Sequence, residues 1–234
     1  MNTNTIFFRR KGKMEETNQT VVTEETAATG QEAVKDAAPS LAETKVKEWS
    51  NPTAAGLVAL AVACMAFFAM LGGHVGAGAL PLIGCWLIGG FVVQVIVGVC
   101  DLKGGNHTGG NTFLFFSAFF MLVGGLEMFF KYKGIMSGNP LDGKLDGFVW
   151  CILTLVMWLW TPAFFKPKFS LLSIIVLLLD VALPFVVLRD FGVEPVVMGH
   201  IGGTFLLLTG LVGLYLSAAI VVNNAYGKKV LPLP

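Results

Sequence analysis

The sequence predicts an all-α membrane protein with six transmembrane helices, and three observations support that prediction. Hydrophobic residues make up 55% of the chain and charged residues 13%, and the mean hydropathy is +0.73, unlike an ordinary soluble domain. Six apolar segments approach or exceed the length of about 20 residues that a helix needs to cross a bilayer. The connections between these segments are short, so neighbouring helices must run antiparallel.

The charge balance and the cysteines exclude several other classes of protein. A net charge of +1 does not provide the concentrated basic face that nucleic-acid binding requires. The cysteines occur singly in apolar segments, which favours packing roles over a zinc site or a disulfide framework: Cys64, Cys85, Cys100 and Cys151. Neither HExxH nor GxSxG occurs, so we expect no enzyme activity and no metal or other cofactor.

The chain divides into a polar tail, a membrane domain and a short C-terminal end. Residues 1–49 are rich in Thr, Glu, Lys and Ala, so most of this tail is predicted to be disordered and cytoplasmic. Its last part, Glu43–Trp49, is compatible with a short helix on the membrane surface or with a solvated tether. Residues 50–226 form the predicted six-helix transport domain, and residues 227–234 form a short C-terminal tail.

The six predicted spans are residues 53–71, 80–100, 112–130, 146–165, 169–188 and 196–222. Lys and Arg collect in the cytoplasmic flanks of membrane proteins. If the N-terminus is inside, the inner flanks hold Lys45, Lys47, Lys103, Lys166, Lys168, Lys228 and Lys229. The outer flanks then hold fewer basic residues, namely Lys131, Lys133, Lys144 and Arg189. This asymmetry predicts a multi-pass protein of the plasma (cell inner) membrane with both termini in the cytoplasm.

The start of the first span, Asn51-Pro52-Thr53-Ala54-Ala55-Gly56-Leu57, has two interpretations. Asn caps free N–H groups and Pro is favoured at the first helical position, which is typical of any helix start. A helix N-terminus also attracts anions. Spans one, three and five would all begin on the cytoplasmic side near basic residues, which would make this end a vestibule for anions.

A glycine-rich junction around Asn106, Thr108 and Asn111 joins the second and third spans. Irregular backbone at membrane depth is tolerated where protein or a water-filled cavity covers it. The junction is therefore predicted to line a path for solute. Gln94, within the second span, needs a hydrogen bond because a buried amide is otherwise costly. It either joins two helices or lines the path.

The third span is rich in aromatic rings and ends near a carboxylate. Its rings either pack the bundle or narrow the path so that an ion must shed water: Phe113, Phe115, Phe116, Phe119 and Phe120. Glu127 closely precedes Lys131 and Lys133, which favours an interfacial carboxylate over a proton carrier.

Two prolines interrupt the fourth and fifth spans. Pro162 cannot donate to the carbonyl of Trp158, and Pro184 cannot donate to that of Asp180, so each helix is predicted to be kinked or locally opened. A carboxylate within an apolar span is functional by default. For Asp180 the alternatives are a proton-linked role, a pair with His200, and a position at the membrane edge.

The sixth span carries small residues on one face, at Gly199, Gly203, Gly210, Gly213 and Ser217. Small residues at helical spacing let two helix backbones approach closely. This face is predicted to pack closely against another helix, either within one protomer or between protomers. His200 lies beside it and is either a titrating group or a structural histidine.

The order and spacing of several motifs resemble a known transporter family. The family's opening motif Asn-Pro-Ala-Pro-Leu-Gly-Leu corresponds to residues 51–57, with its middle altered. A second family segment contains Gly-Gly, Gln, Gly and an acid, which correspond here to Gly89-Gly90, Gln94, Gly98 and Asp101. It continues with Gly-Asn-Thr-Phe-Gly, which corresponds to residues 105–109. The motif that follows in the family, Ser-Tyr-Gly-x-Phe-Trp, corresponds to residues 115–120. His200, Gly203, Gly210, Tyr215 and Val230-Leu231-Pro232 match the last helix and tail. From residue 51 onward the chain therefore resembles the acetate uptake transporter family, the succinate-acetate permeases.

The resemblance implies a six-helix protomer that assembles as a hexamer, each protomer with its own path for small carboxylates. It also implies an apolar constriction at Leu60 and Phe116. The family has an aromatic ring at the first position and a tyrosine at the second, so a wider or drier neck with a different monocarboxylate preference is expected. The family's constriction residue on the fifth helix has no clear counterpart here.

We therefore expect a transporter of acetate or a related short carboxylate, succinate included, that works as an anion channel or a proton-coupled symporter. Its path would include Asn51, Pro52, Gly56, Leu60, Gln94, Asn106, Thr108, Asn111 and Phe116, and the candidates for a proton-linked role are Asp180, His200 and Glu127. A channel for ammonium or water, and a membrane sensor or scaffold, are the alternatives. The other expected partners are membrane lipid and further copies of this chain.

Overall fold

The computed structural model describes residues 50–166 and 170–233, which form six helices long and apolar enough to cross a membrane. The helices are α1 (Thr53–Leu71), α2 (Ala77–Lys103), α3 (His107–Met136), α4 (Lys144–Phe164), α5 (Leu171–Asp190) and α6 (Pro195–Tyr226). The predicted all-α class and the number of spans are confirmed. The tail predicted to be disordered lies outside the described residues, as does the segment Glu43–Trp49.

The junction between α2 and α3 is shorter than predicted, because α3 already begins at His107. The Asn106 side chain accepts a hydrogen bond from the Gly109 N–H at 3.0 Å and so caps the new helix. Gly109 and Gly110 are buried in the first turn, where a Cβ on Gly110 would lie 2.6 Å from the Leu102 Cγ. The prediction of an irregular loop as far as Asn111 is therefore wrong. Only residues 104–106 separate the two helices.

The glycine face of α6 packs against α1 of the same protomer. A Cβ on Gly199 would lie 2.8 Å from the Leu71 carbonyl oxygen, and one on Gly210 would lie 3.1 Å from the Cys64 Cβ. At the other end of the contact between α6 and α1, the Ser217 hydroxyl donates to the Ala54 carbonyl at 2.8 Å. Small side chains let these two backbones meet. The small-residue face of α6 was predicted to pack either within one protomer or between protomers, and in the structure it packs within the protomer.

The two prolines have different consequences. Pro162 lies in a 3₁₀ turn, Thr161–Phe164, that closes α4, whereas Pro184 lies inside a continuous α5. Pro184 leaves the Asp180 carbonyl without its usual helical donor. The Trp158 indole N–H donates to that carbonyl at 3.1 Å. A side chain of α4 therefore satisfies the acceptor that the proline leaves free in α5.

The middle of α3 departs from the regular α-helix in a way that the sequence did not predict. Residues Phe116–Val123 are π-helical, between α-helical segments that begin at His107 and Gly124. Short π-helical turns occur often at functional sites. Phe116 is the first residue of this turn and points into the bundle, where it is 4% exposed.

Candidate functional site

A small cavity of about 50 Å³ lies among five of the helices, toward the end of the bundle where α1 and α3 begin. Its lining comes from α1 (Thr53, Leu57 and Leu60), from Gln94 of α2, from Asn106 and the start of α3 (Gly109, Thr112, Phe113 and Phe116), from Phe164 of α4, and from α5 (Leu172, Ile175, Val176 and Leu179). None of these described residues carries a charge. The site is an apolar space with few polar groups.

The predicted neck residues Leu60 and Phe116 line the same cavity. Their side chains are 5% and 4% exposed, so both belong to the interior of the bundle. The Phe116 ring meets the rings of Phe115 and Phe120 edge-on, with centroids 4.7 Å and 5.8 Å apart. Edge-to-face contacts of this kind fix the orientation of a ring. The two residues for which the family resemblance implies a constriction therefore line one cavity, and the constriction itself stays a prediction.

The α5 wall of the cavity consists of residues that the sequence analysis did not identify. Leu172, Ile175, Val176 and Leu179 follow the spacing of one helical face. Their neighbours in α5 are also apolar, so the sequence pattern gives no sign of which face turns inward.

The Gln94 side chain lines the cavity and is 1% exposed. Its Nε2 donates to the Gly56 carbonyl at 3.2 Å, which joins α2 to α1. Its Oε1 is buried and has no hydrogen-bond donor among the described residues. Gln94 therefore joins α2 to α1, which is one of its two predicted roles, and it also lines the cavity. Its place in a solute path stays a prediction.

Gly56 makes room for this arrangement. A Cβ at this position would lie 2.5 Å from the Phe113 Cε1, closer than real side chains pack. The Gly56 carbonyl also accepts from Gln94. The glycine therefore allows an aromatic ring of α3 and an amide of α2 to approach the same turn of α1.

One end of the cavity is lined by the polar side chains of Thr53 and Asn106, which we call the mouth, and both are hydrogen-bonded to the Asp101 carboxylate behind them. The Asn106 Nδ2 donates to the Asp101 Oδ2 at 3.0 Å, and the Thr53 hydroxyl is also hydrogen-bonded to that carboxylate. The Asn51 side chain accepts from the Thr53 N–H at 2.9 Å, so it caps α1 as predicted. Asn51 is exposed and Pro52 directly precedes the helix. Neither lines the cavity, so their place in the path stays a prediction.

Thr108 and Asn111 also lie away from the cavity. The exposed Asn111 side chain donates to the His107 carbonyl at 2.8 Å, and the Thr108 carbonyl accepts from the Thr112 hydroxyl at 2.9 Å. Both groups bond within their own helix. Their predicted role in the path has no support from this geometry and stays a prediction.

The residues proposed for a proton-linked role are not brought together. The Asp180 Oδ2 is 2.6 Å from the Thr161 hydroxyl, whereas the exposed His200 has its Nδ1 2.6 Å from the Val196 carbonyl. The predicted alternative of an Asp180–His200 pair is therefore wrong. Each side chain finds its partner within its own helix or on the helix beside it.

A second, charged cleft of about 350 Å³ lies at the opposite end of the bundle. Lys131 bridges Glu127 at 3.1 Å and Asp146 at 2.6 Å, and Arg189 pairs with Asp190 at 2.8 Å. Glu127 is thus in an ion pair in the last third of α3, and its interfacial position stays a prediction. We use the name charged cleft for this cavity together with the five charged side chains, all of which except Glu127 line it.

Comparison with known proteins gives one family and one fold. The model of the GPR1/FUN34/yaaH family matches residues 34–234 of the chain. The solved structure of the bacterial acetate channel SatP superposes with a TM-score of 0.69 at 17% sequence identity, over 80% of this chain and 99% of that one. A comparison with curated protein sequences gave no match. At this level of identity the structural likeness concerns the fold.

Proposed function

Because the chain belongs to the GPR1/FUN34/yaaH family, we propose that it transports short carboxylates across a membrane through the cavity of its own protomer. Acetate is the first candidate, since the bacterial acetate channel SatP has the same fold. The observation that supports this proposal best is that Leu60 and Phe116 are both buried and line the same small, mostly apolar cavity inside the bundle. A wall of this kind suits a small solute that can shed water.

The path begins at the mouth formed by Thr53 and Asn106 and continues between Leu60 and Phe116. At the mouth, a solute exchanges water for hydroxyl and amide groups. In the neck, the side chains of Leu57, Leu60 and Phe116 offer no hydrogen bond, so the loss of water sets the barrier. From the cavity the proposed path continues through the bundle to the charged cleft at its other end. The two ends would serve as the entry and the exit.

Three further parts of the proposal concern organisation. Residues 50–226 act as the transport domain, with the tail of residues 1–49 and both termini in the cytoplasm of a plasma-membrane protein. The distribution of Lys and Arg in the flanks supports this orientation. The protomers assemble as a hexamer, which rests on the family resemblance alone.

Uptake of radiolabelled acetate into liposomes that contain the purified protein tests the proposal. The decisive variant is Phe116→Ala, which removes a ring from the neck. The matched control is Phe119→Ala, on the same π-helical turn, because Phe119 is 51% exposed and Phe116 is 4% exposed. We expect Phe116→Ala to change the rate of acetate uptake or its ratio to propionate uptake severalfold, and Phe119→Ala to leave both unchanged.

Two results would contradict the proposal in different ways. Protein without uptake above empty liposomes, for any short carboxylate, would remove the transport function. Normal acetate uptake together with identical selectivity in Phe116→Ala would keep the function but take Phe116 out of the neck.

A further inference from the structure

We propose that Asp180 is a neutral carboxylic acid whose own hydrogen bonds to Thr161, and that this bond joins α4 to the turn of α5 that Pro184 opens. The proton is fixed at Asp180 and is not passed on. Asp180 is then a positioning residue for the α5 wall of the cavity. This positioning role rests on the proposed transport function, whereas the protonation state of Asp180 does not.

Asp180 lies in the middle of a membrane span. It is halfway along α5, and its Oδ1 is buried without a hydrogen-bond donor among the described residues. A carboxylate has room for about four hydrogen bonds, whereas this one has a single side-chain partner in the described part of the chain, the Thr161 hydroxyl. A poorly solvated carboxylate in an apolar environment is so costly that the group takes up a proton instead.

The hydrogen bonds of Thr161 indicate where that proton lies. The Thr161 hydroxyl oxygen is 2.9 Å from the Met157 carbonyl oxygen and 2.6 Å from the Asp180 Oδ2. A hydroxyl has one hydrogen and a carbonyl oxygen has none, so the Thr161 hydrogen cannot serve both contacts. If it is given to Met157, the shorter contact needs a hydrogen from Asp180. Both contacts are hydrogen bonds at the same time when Asp180 is protonated and donates to the Thr161 oxygen.

No cation compensates a negative charge at Asp180, which takes part in no ion pair of the described residues. Arg189 pairs with Asp190 at the end of α5, about 14 Å along the helix from Asp180. Other titratable groups lie on α4 and α6, which pack against α5, or directly after α4. None of them has a hydrogen bond or ion pair with Asp180: Lys144, Asp146, Cys151, Lys166, His200, Tyr215 and Tyr226.

The backbone of Asp180 makes a second contact with α4. Pro184 has no N–H for the Asp180 carbonyl, and the Trp158 indole donates to that carbonyl at 3.1 Å. Trp158 and Thr161 are three residues apart, so they lie on one side of α4. We call Trp158, Thr161 and Asp180 the clamp. It holds the turn of α5 that the proline opens.

The clamp lies beside the α5 wall of the cavity. Leu179 directly precedes Asp180 and lines the cavity together with Ile175 and Val176. A helical turn that lacks a regular hydrogen bond at a proline can bend, and a bend at this turn displaces Leu179. The clamp therefore fixes the position of this wall.

Infrared spectroscopy of the purified protein in liposomes measures the protonation state directly. A protonated carboxyl group has a C=O stretching band that a carboxylate lacks. We expect such a band in the wild type at neutral pH, shifted by heavy water as an acid band is, and its loss in Asp180→Asn. Asp142→Asn, at an exposed position before α4, is the matched control and should keep the band.

Loss of a carboxylate band, instead of an acid band, in Asp180→Asn would overturn the inference and leave the transport function untouched. If Asp180→Asn does not fold, Thr161→Val gives a second measurement on the same band. This variant removes the acceptor of the Asp180 hydrogen, so the acid band should shift in frequency. An unshifted band would overturn the bond between Asp180 and Thr161.

Uptake into liposomes tests the positioning role. Asp180→Asn should keep the wild-type ratio of acetate to propionate uptake, because an amide donates to Thr161 in place of the acid. Asp180→Leu removes this bond and should change the ratio severalfold. Loss of acetate uptake in Asp180→Asn would overturn the fixed proton, since an amide cannot carry one.

Two tryptophans give a matched pair for the backbone contact of the clamp. Trp158→Phe removes the indole N–H that bonds to Asp180 and should change the uptake ratio. Trp160→Phe should not, because the described contact of Trp160 is between its ring and that of Phe115. Unchanged ratios in both Asp180→Leu and Trp158→Phe would overturn the positioning role. Absence of uptake by the wild type would overturn the proposed function, and the infrared measurement would still decide the protonation state of Asp180.

Discussion

The two ends of the helix bundle handle polar groups in opposite ways. At the cavity end, the polar side chain of the neck is a neutral amide with an unpartnered oxygen, among apolar walls. At the other end, the charged cleft holds two cations and three carboxylates in three ion pairs, with Lys131 shared between Glu127 and Asp146, and the side chains are between 12% and 34% exposed. The charges of the cleft bond to one another, whereas the Gln94 Oε1 has no donor among the described residues. The comparison therefore separates a charged region that joins helices from the apolar cavity that we propose as the solute path.

The largest expected effect is at the cavity end. Gly56→Leu would push a side chain into the Phe113 ring and close the cavity, since even a Cβ would lie 2.5 Å from that ring. We expect acetate uptake in liposomes to fall to the level of empty vesicles. Gly89→Leu is the control, because Gly89 is exposed on α2 and a Cβ there meets nothing within 4 Å. If Gly56→Leu transports normally, the cavity is not the path.

A smaller effect, on stability and not on selectivity, is expected in the charged cleft. Lys131→Met removes the cation that bridges α3 and α4, and leaves Glu127 and Asp146 without their partner. The pair is partly exposed, so we expect a loss of roughly 1–2 kcal/mol, between the values for surface and buried pairs. Thermal unfolding in detergent measures this loss.

Transport by the Lys131→Met variant tests whether the charged cleft also affects the choice of solute. The ratio of acetate to propionate uptake should be unchanged in Lys131→Met, because the neck lies at the other end of the bundle. Lys133→Met, on an exposed residue of the same helix, is the control for the loss of one positive charge. A changed uptake ratio in Lys131→Met alone would mean that the cleft also selects solute.

The smallest effect is expected at the mouth. Asn106→Ala removes the cap of α3 and the hydrogen bond to Asp101, at a cost of about 1 kcal/mol. Asn111→Ala should change the unfolding temperature less, because the Asn111 side chain is exposed and bonds to its own helix. Equal unfolding temperatures for the two variants would show that the cap contributes little.

The sequence alone was sufficient to predict the fold class and the number of membrane-spanning helices, and to identify the family resemblance. Apolar length determines where a helix can cross a membrane, and the six spans follow from that rule. The small-residue spacing in α6 was equally readable, since glycines at helical intervals mark a close contact wherever they occur. The sequence could not name α1 as the partner, because the spacing on one helix says nothing about which helix faces it.

Tertiary structure alone decided which apolar side chains form the site. In a membrane protein the outer and inner faces of a helix are both apolar, so hydrophobic periodicity does not mark Ile175 or Leu179 as a wall. The early start of α3 was missed because its glycine-rich first turn reads as loop, until Asn106 caps it and Leu102 packs against Gly110. The open acceptor of Gln94 and the indole bond to the Asp180 carbonyl depend on distances between helices. The packing of the helices determines which hydrogen bonds form and which acceptors stay without a donor. The order of residues along the chain does not specify these pairings.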